Sequence, residues 1–313
     1  MWPFIRLLPQ HTHIDFVRLA PFAAVLSALC LIASGVSYAV QGMNYGVDFA
    51  GGTVMQVHTP GPAPVAQFRS TLTAMGVSDP QVQRVGDINS AQIRFRSVGE
   101  LNVNQGANLV TQRLTTQFPG LTVLGQDTVG ANVSGELLIG GAVALGTAIL
   151  LMLAYIWFRF QLQFGLGAVI ALIHDIAMTI GMLSIAHIEI NTTSIAALLT
   201  VIGYSMNEKV ITFDRLRENL RKFKTTPLRD VINTSENERL SRTLITGTTA
   251  LLALSGAFFF GGPALFGLVA TMCFGILIGT YSSIYVALPV ILLWGARRGD
   301  EEATPLTPMN ARP

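Results

Sequence analysis

Two carboxylates stand inside apolar runs of this chain, and each could move a proton or an ion. Glu208 lies in NTTSIAALLTVIGYSMNEKVITFDRLREN, residues 191–219. Tyr204 precedes it by one helical turn, and Asn207 and Lys209 flank it. Asp175 lies near the middle of another apolar run, next to His174. A charge inside a membrane-spanning helix costs at least about 2.5–3.5 kcal/mol on insertion scales, so it needs a partner or a water-filled cavity. Low dielectric keeps a carboxyl protonated, and a nearby arginine restores its charge. Arg242, in Ser241-Arg242-Thr243, opens a further apolar run. It could be an interfacial anchor, or it could reach inward as the counter-ion of Glu208. Movement of that arginine would load or release a proton.

Each of these residues also has a plainer reading. Asp175 could be a hydrogen-bonded strut between helices as readily as part of an ion path. His174 and Asp175 are adjacent, point to different faces of a helix and do not form a dyad. His174 is expected to be structural. Lys209 cannot share the face of Glu208, so it either snorkels to the interface or faces another helix.

The elements that must position these groups are membrane spans. The chain has 313 residues, 50% hydrophobic and only 12% charged, against about 25% charged in ordinary soluble domains. Several apolar runs exceed the roughly 18–20 residues that cross a bilayer. The net charge of +2 gives no basis for a nucleic-acid partner. Cys30 and Cys273 both lie in apolar runs, which argues against a disulfide framework or a zinc cluster. There is no Gly-x-Ser-x-Gly or His-Glu-x-x-His stretch. The chain reads as a non-enzymatic polytopic membrane protein, with no cofactor expected.

Six spans are expected. Residues 1–19 form a polar N-terminal segment, too long a lead for a signal peptide, and span 1 follows at 20–40. A polar region covers 41–135. Spans 2 to 6 fill 136–296, at about 136–158, 164–185, 191–213, 243–260 and 265–294. The segment 214–242 is polar and basic, and 297–313 is a tail. Lys and Arg concentrate at the N-terminus, at 159–162, in 214–242 and at 297–298, all on one side of a six-span arrangement. The positive-inside rule makes that side cytoplasmic, with both termini there and 41–135 on the far side.

Region 41–135 alternates strand and helix patterns. Strands are expected at 53–59, 82–85, 91–95 and 121–124, and helices at 64–75 and 109–118. The order is βαββαβ, the ferredoxin-like arrangement. It reads as a positioning or binding module. Two glycine-containing motifs bracket it as connectors. GVDFAGGT before it contains Asp48, Gly51 and Gly52, and VGANVSGEL after it contains Gly130 and Gly135. Ser134 is expected to cap span 2.

Several blocks together are similar to the SecF type of the SecD/SecF protein-export family, a branch of the RND superfamily. They are GVDFAGGT, VGANVSGELL, ALIHDIAMTIG, GYSMNEKVITFDRLREN, NERLSRTLITGTTALLAL and FGILIGTYSSIYVALPV. They fall in family order over residues 14–296. The resemblance implies a bacterial inner-membrane subunit that pairs with SecD in a twelve-helix assembly. It implies work with the SecYEG channel and, indirectly, the SecA motor, and use of the proton-motive force to complete export of polypeptides. By position the family's coupling residues fall on Glu208 and Arg242, with Asn207 beside them. The family's usual Asn-Asp-Thr is Asn207-Glu208-Lys209 here, which keeps the carboxylate but adds a cation next to it. Two other readings are a non-conducting assembly subunit between SecD and the channel, and one half of a small-molecule exporter of the same superfamily.

Overall fold

The computed structural model describes residues 12–295. The expected basic residues Arg6, Arg297 and Arg298, and the tail, lie outside them. The order begins with a long helix α1 (Phe16–Gln41) and a one-turn helix α2 (Val47–Ala50). There follow β1 (Gly52–His58), α3 (Val65–Ala74), β2 (Gln81–Arg84), β3 (Ser90–Phe95), α4 (Val103–Gln117) and β4 (Thr122–Val129). Long helices then run without another strand: α5 (Ala131–Arg159), α6 (Leu162–Ile185), α7 (Thr192–Lys222), α8 (Leu228–Phe260) and α9 (Gly262–Ser282). A π turn (Ser283–Ala287) joins α9 to α10 (Leu288–Trp294).

Among the described residues, five helices are long and apolar enough to cross a membrane: Phe16–Gln41, Ala131–Arg159, Leu162–Ile185, Leu228–Phe260 and Leu265–Trp294. The other long helix, α7, is too polar to qualify by composition, because Asn207, Glu208 and Lys209 interrupt its apolar half. It is nevertheless the centre of the bundle. It packs against α5, α6, α8 and α9 and buries Leu198, Val201, Ile202, Met206, Phe213 and Leu216. A helix ringed by helices can hold charges that a lipid-facing one cannot.

The segment 214–242 differs from a polar loop. α7 continues to Lys222 and α8 starts at Leu228, so the connection is a short turn between two helical extensions. Their facing sides bury Leu216, Leu220, Val231 and Ile232, while Arg215 bridges Glu218 at 2.6 Å and Glu238 at 2.8 Å. The polar composition masked an amphipathic hairpin. The π turn has a chemical cause: Pro289 has no N–H for an ordinary helical bond to Tyr285, and a widened turn absorbs that gap.

The small domain is one four-stranded antiparallel sheet, in the order β2-β3-β1-β4. Its core joins Met55, Val57, Ile93 and Phe95 from the sheet to Phe68, Leu72, Val110 and Leu114 from α3 and α4. Phe68 meets Phe118 edge-on at 4.7 Å. α4 starts six residues before the expected position, because Asn102 caps it by accepting from Gln105 N at 2.8 Å. That polar first turn carries no apolar stripe to read. β4 runs to Val129, past the apolar residues, because its ladder with β1 is a backbone interaction.

Gly52 opens β1 at φ +118°, and a Cβ there would lie 2.5 Å from the Phe95 carbonyl oxygen. Only glycine fits that approach. Gly52→Ala is expected to destabilise the small domain by roughly 1–3 kcal/mol, read as an earlier unfolding transition of the full chain in detergent.

Candidate functional site

The centre of the bundle holds five charged side chains, none more than 4% exposed: Asp175, Glu208, Lys209, Glu236 and Arg239. They form two groups, built on neighbouring faces of α7. Positions 205 and 209 face α6, and position 208 faces α8.

In the first group Lys209 Nζ donates to Asp175 Oδ2 at 2.7 Å. Ser205 and Ser282 donate to the same oxygen at 2.5 and 2.7 Å. Lys209 also reaches Ser282 Oγ at 3.2 Å and touches the Ser205 hydroxyl. Gly279 permits this close packing: a Cβ there would sit 3.1 Å from Ser205 Cβ. His174 Nδ1 lies 3.0 Å from Asp175 Oδ1, so the two neighbours do meet. Adjacent residues diverge by about 100° on a helix, but the imidazole and carboxyl arms are long enough to fold back. His174 Nε2 reaches Ser27 Oγ of α1 at 3.1 Å. Lys209 therefore does not snorkel; it binds the neighbouring helix.

The second group centres on Arg239. Its Nε lies 2.8 Å from both carboxylate oxygens of Glu236, one turn earlier on α8. Its Nη1 reaches Glu208 Oε2 at 3.3 Å and Thr243 Oγ1 at 2.8 Å. Its Nη2 donates to Ser283 Oγ at 3.0 Å. Thr243 donates to Glu208 at 3.2 Å.

Of the residues singled out from the sequence, Glu208 and Asp175 are buried in these groups. Arg242 is not beside Glu208: it is exposed, and Arg239 takes the place expected of it. A residue three positions on is rotated about 60° around the helix, enough to leave the pocket. Asn207 is likewise exposed, on the outer face of α7. Glu236 and Arg239 were missed because 214–242 read as a polar connection, and Thr243, at the start of the expected span 243–260, carries no charge to mark it. Their i, i+3 and i+7 spacing is a helix-face signal once that stretch is taken as helical. The pairing of Asp175 with Lys209 leaves no trace in sequence spacing.

The connector residues meet the helical bundle at the base of the small domain. Asp48 accepts from Thr192 N at 2.8 Å and so caps α7 from outside, alongside Asn191, which accepts from Ser194 N at 3.0 Å. Tyr45 and Ile190 form a parallel β-bridge, with Gly46 N to Ile190 O and Ile190 N to Asn44 O both 2.8 Å. Arg94 of β3 is ion-paired with Glu189. Burial pushes the Glu189 carboxyl above its ordinary pKa, Arg94 pulls the other way, and Asp48 adds to the rise. Gly51, at φ +71°, packs beside Ser134 and Ala131. Gly130 is the N-cap of α5, and Gly135 lies within that helix's first turns. Ser134 does not cap it, because the helix starts three residues earlier and its hydroxyl donates to Ala131 O at 2.9 Å.

Residues 110–297 match the family described as "Protein export membrane protein SecD/SecF, C-terminal", and residues 36–59 match the "SecD/SecF GG Motif". The chain belongs to the SecD/SecF protein-export family. The protein translocase subunit SecF of Cereibacter sphaeroides is 40% identical over 303 residues, covering 94% of each chain. That of Rickettsia felis is 36% identical, covering 95% of this chain and 97% of its own. The crystal structure of SecDF from Thermus thermophilus superposes with a TM-score of 0.83 at 29% identity. A structure of SecDF in a super-membrane-facing form gives 0.64 at 30% identity. Each match covers 94% of this chain and 39% of the SecDF chain, so this chain spans well under half of SecDF. The GG-motif match contains Asp48, which ties the small domain to α7, and Gly51 and Gly52, which pack against the start of α5 and against β3.

Removing one member of a buried ion pair leaves a charge without a partner, at a cost of about 3–5 kcal/mol. Lys209→Met is therefore expected to lower the thermal stability of the full chain sharply. Asp175→Leu combined with Lys209→Met is expected to recover much of that loss, as read by a double-mutant cycle on melting in detergent.

Proposed function

We propose that this chain is the SecF-type subunit of a bacterial protein-export machine, pairing with SecD and helping to complete translocation of polypeptides through SecYEG. The SecA motor acts on the same substrate from the cytoplasm. Six spans cross the inner membrane, with α7 the fourth in chain order and both termini cytoplasmic. The small domain is a ferredoxin-like module on the far side; its strand order and two helices support that reading. Near-full-length similarity to SecF subunits supports the family role.

Glu208 is the coupling carboxylate in this proposal. The carrying observation is its burial against Arg239 at the junction of α7, α8 and the π turn. A proton enters from the far side and leaves to the cytoplasm, driven by about 2.3 kcal/mol per charge per 100 mV. Arg239 supplies the inward-facing cation. Arg242 and Asn207 serve differently: an exposed arginine and asparagine on helices of a bundle call for a partner surface, and SecD would cover them. Lys209 is held by Asp175, which disfavours a non-conducting subunit in which Lys209 neutralises Glu208. Glu208→Gln is expected to abolish the proton-gradient dependence of export completion in vesicles carrying this chain with SecD. Unchanged dependence would leave the assembly-subunit reading.

The titration would bias a hinge near Gly46–Thr53 and Val129–Gly135, so that the small domain swings and holds the exported chain against backsliding. The unequal match to two SecDF forms supports a family that works between conformations. Arg94 of β3 lies beyond that hinge and is ion-paired with Glu189 on the bundle side, so an Arg94→Cys, Glu189→Cys pair joined by a short reducible thiol cross-linker would lock the domain to the bundle. Export is expected to stop on cross-linking and return on reduction; export by the locked form would rule out the swing.

A further inference from the structure

The hydrogen bonds around His174 have only one consistent direction. Tyr281 spends its single hydroxyl proton on the Ala23 carbonyl at 2.7 Å. The 2.9 Å bond between Tyr281 and Ser27 is therefore donated by Ser27. Ser27 has then no proton left, so the 3.1 Å bond to His174 Nε2 is donated by the imidazole. A neutral imidazole with its proton on Nε2 would turn a bare Nδ1 lone pair toward Asp175 Oδ1 at 3.0 Å. Two acceptors do not sit at that distance, so a further proton lies between them.

The charge count points the same way independently. Asp175, Glu208 and Glu236 are three buried carboxylates, and Lys209 and Arg239 are two buried cations. A group of five with one uncompensated negative charge is costly in a dry bundle. One bound proton, on His174 or on a carboxylate, balances it, and the hydrogen-bond directions above are what place it on His174.

We propose that His174 is that third cation, an imidazolium whose Nδ1–H is held by Asp175, and that this proton is a store for the translocated one. The proton sits on nitrogen because the other oxygen of Asp175 already accepts from Lys209, Ser205 and Ser282, a set that favours the carboxylate. The groups facing the site come from every packed helix. α1 brings the Ser27 hydroxyl, and α9 brings Tyr281, whose ring stacks on His174 at 6.2 Å. The π turn brings Tyr285, which leans on Tyr281. α7 brings Lys209, with Glu208, Glu236 and Arg239 beyond it. The charged residues of α5, Glu136 and Arg159, lie toward its ends, and α10 has none. When Glu208 takes up a proton, one negative charge is lost and His174 releases its Nδ1 proton to water, the neutral ring moving off Asp175 while its Nε2–H stays bonded to Ser27. The storage role rests on the Glu208 reading above; the presence of the proton does not.

The test is nitrogen NMR of the full chain in lipid with labelled histidine, the His174 signals being assigned by their loss in His174→Gln. Both ring nitrogens of His174 are expected to carry protons in the folded protein at neutral pH. A neutral His174 ring there would overturn the proposal, whether or not infrared spectra show Asp175 protonated instead. Glu208→Gln removes one negative charge and is expected to make His174 neutral in the same spectra; an unchanged imidazolium would overturn the charge balance. For storage, gradient-driven export by His174→Gln, measured at a temperature where the variant is folded, is expected to fall about tenfold with a shifted pH profile. Native-like export by His174→Gln alongside a dead Glu208→Gln would overturn storage and leave Glu208 standing. Native-like export by both would overturn the Glu208 reading itself.

Discussion

The bundle depends on one constraint: a lysine and an aspartate with no access to water must meet. Asp175 and Lys209 come from different helices and are both fully buried. Their bond at 2.7 Å fixes the rotation of α6 against α7. Ser205 and Ser282 then bring α9 into register. Such a pair need not stabilise the fold relative to an apolar one, because desolvation offsets the Coulomb gain. It does penalise every arrangement in which the partners are apart, which gives the bundle a single register.

That register places the second group. With positions 205 and 209 of α7 turned to α6, position 208 is turned to α8, where Arg239 holds two carboxylates at once. One guanidinium between Glu208 and Glu236 is poised to choose between them. Its tighter bonds to Glu236, 2.8 Å against 3.3 Å, leave Glu208 the more loosely held. The same guanidinium also reaches the π turn through Ser283, so its position links both carboxylates to that turn.

The small domain is wired to the same helix at its other end. Asp48 caps α7 sixteen residues before Glu208, and Asn191 supports it within the chain. A carboxylate at a helix N-terminus interacts with the unpaired N–H groups and the dipole of that helix. Together with the Tyr45–Ile190 bridge and the Arg94–Glu189 pair, this gives the domain a defined seat on the bundle. α7 thus carries buried charges along its length and receives the domain base at its N-terminus.

Much of this was legible in the residues themselves. Apolar runs declare membrane helices because lipid tolerates nothing else at that length, and period-2 and period-3.6 patterns declared the strands and α3. Carboxylates inside apolar runs marked Glu208 and Asp175, because their cost demands a purpose. The start of α4 and the helical nature of 214–242 were hidden, since caps and amphipathic hairpins carry weak apolar signals. The choice of Arg239 over Arg242, the outward turn of Asn207 and the meeting of Lys209 with Asp175 belong to the tertiary structure alone. Sequence specifies which groups must find partners; helix rotation and packing decide which partners lie within about 3 Å, the distance at which hydrogen bonds form.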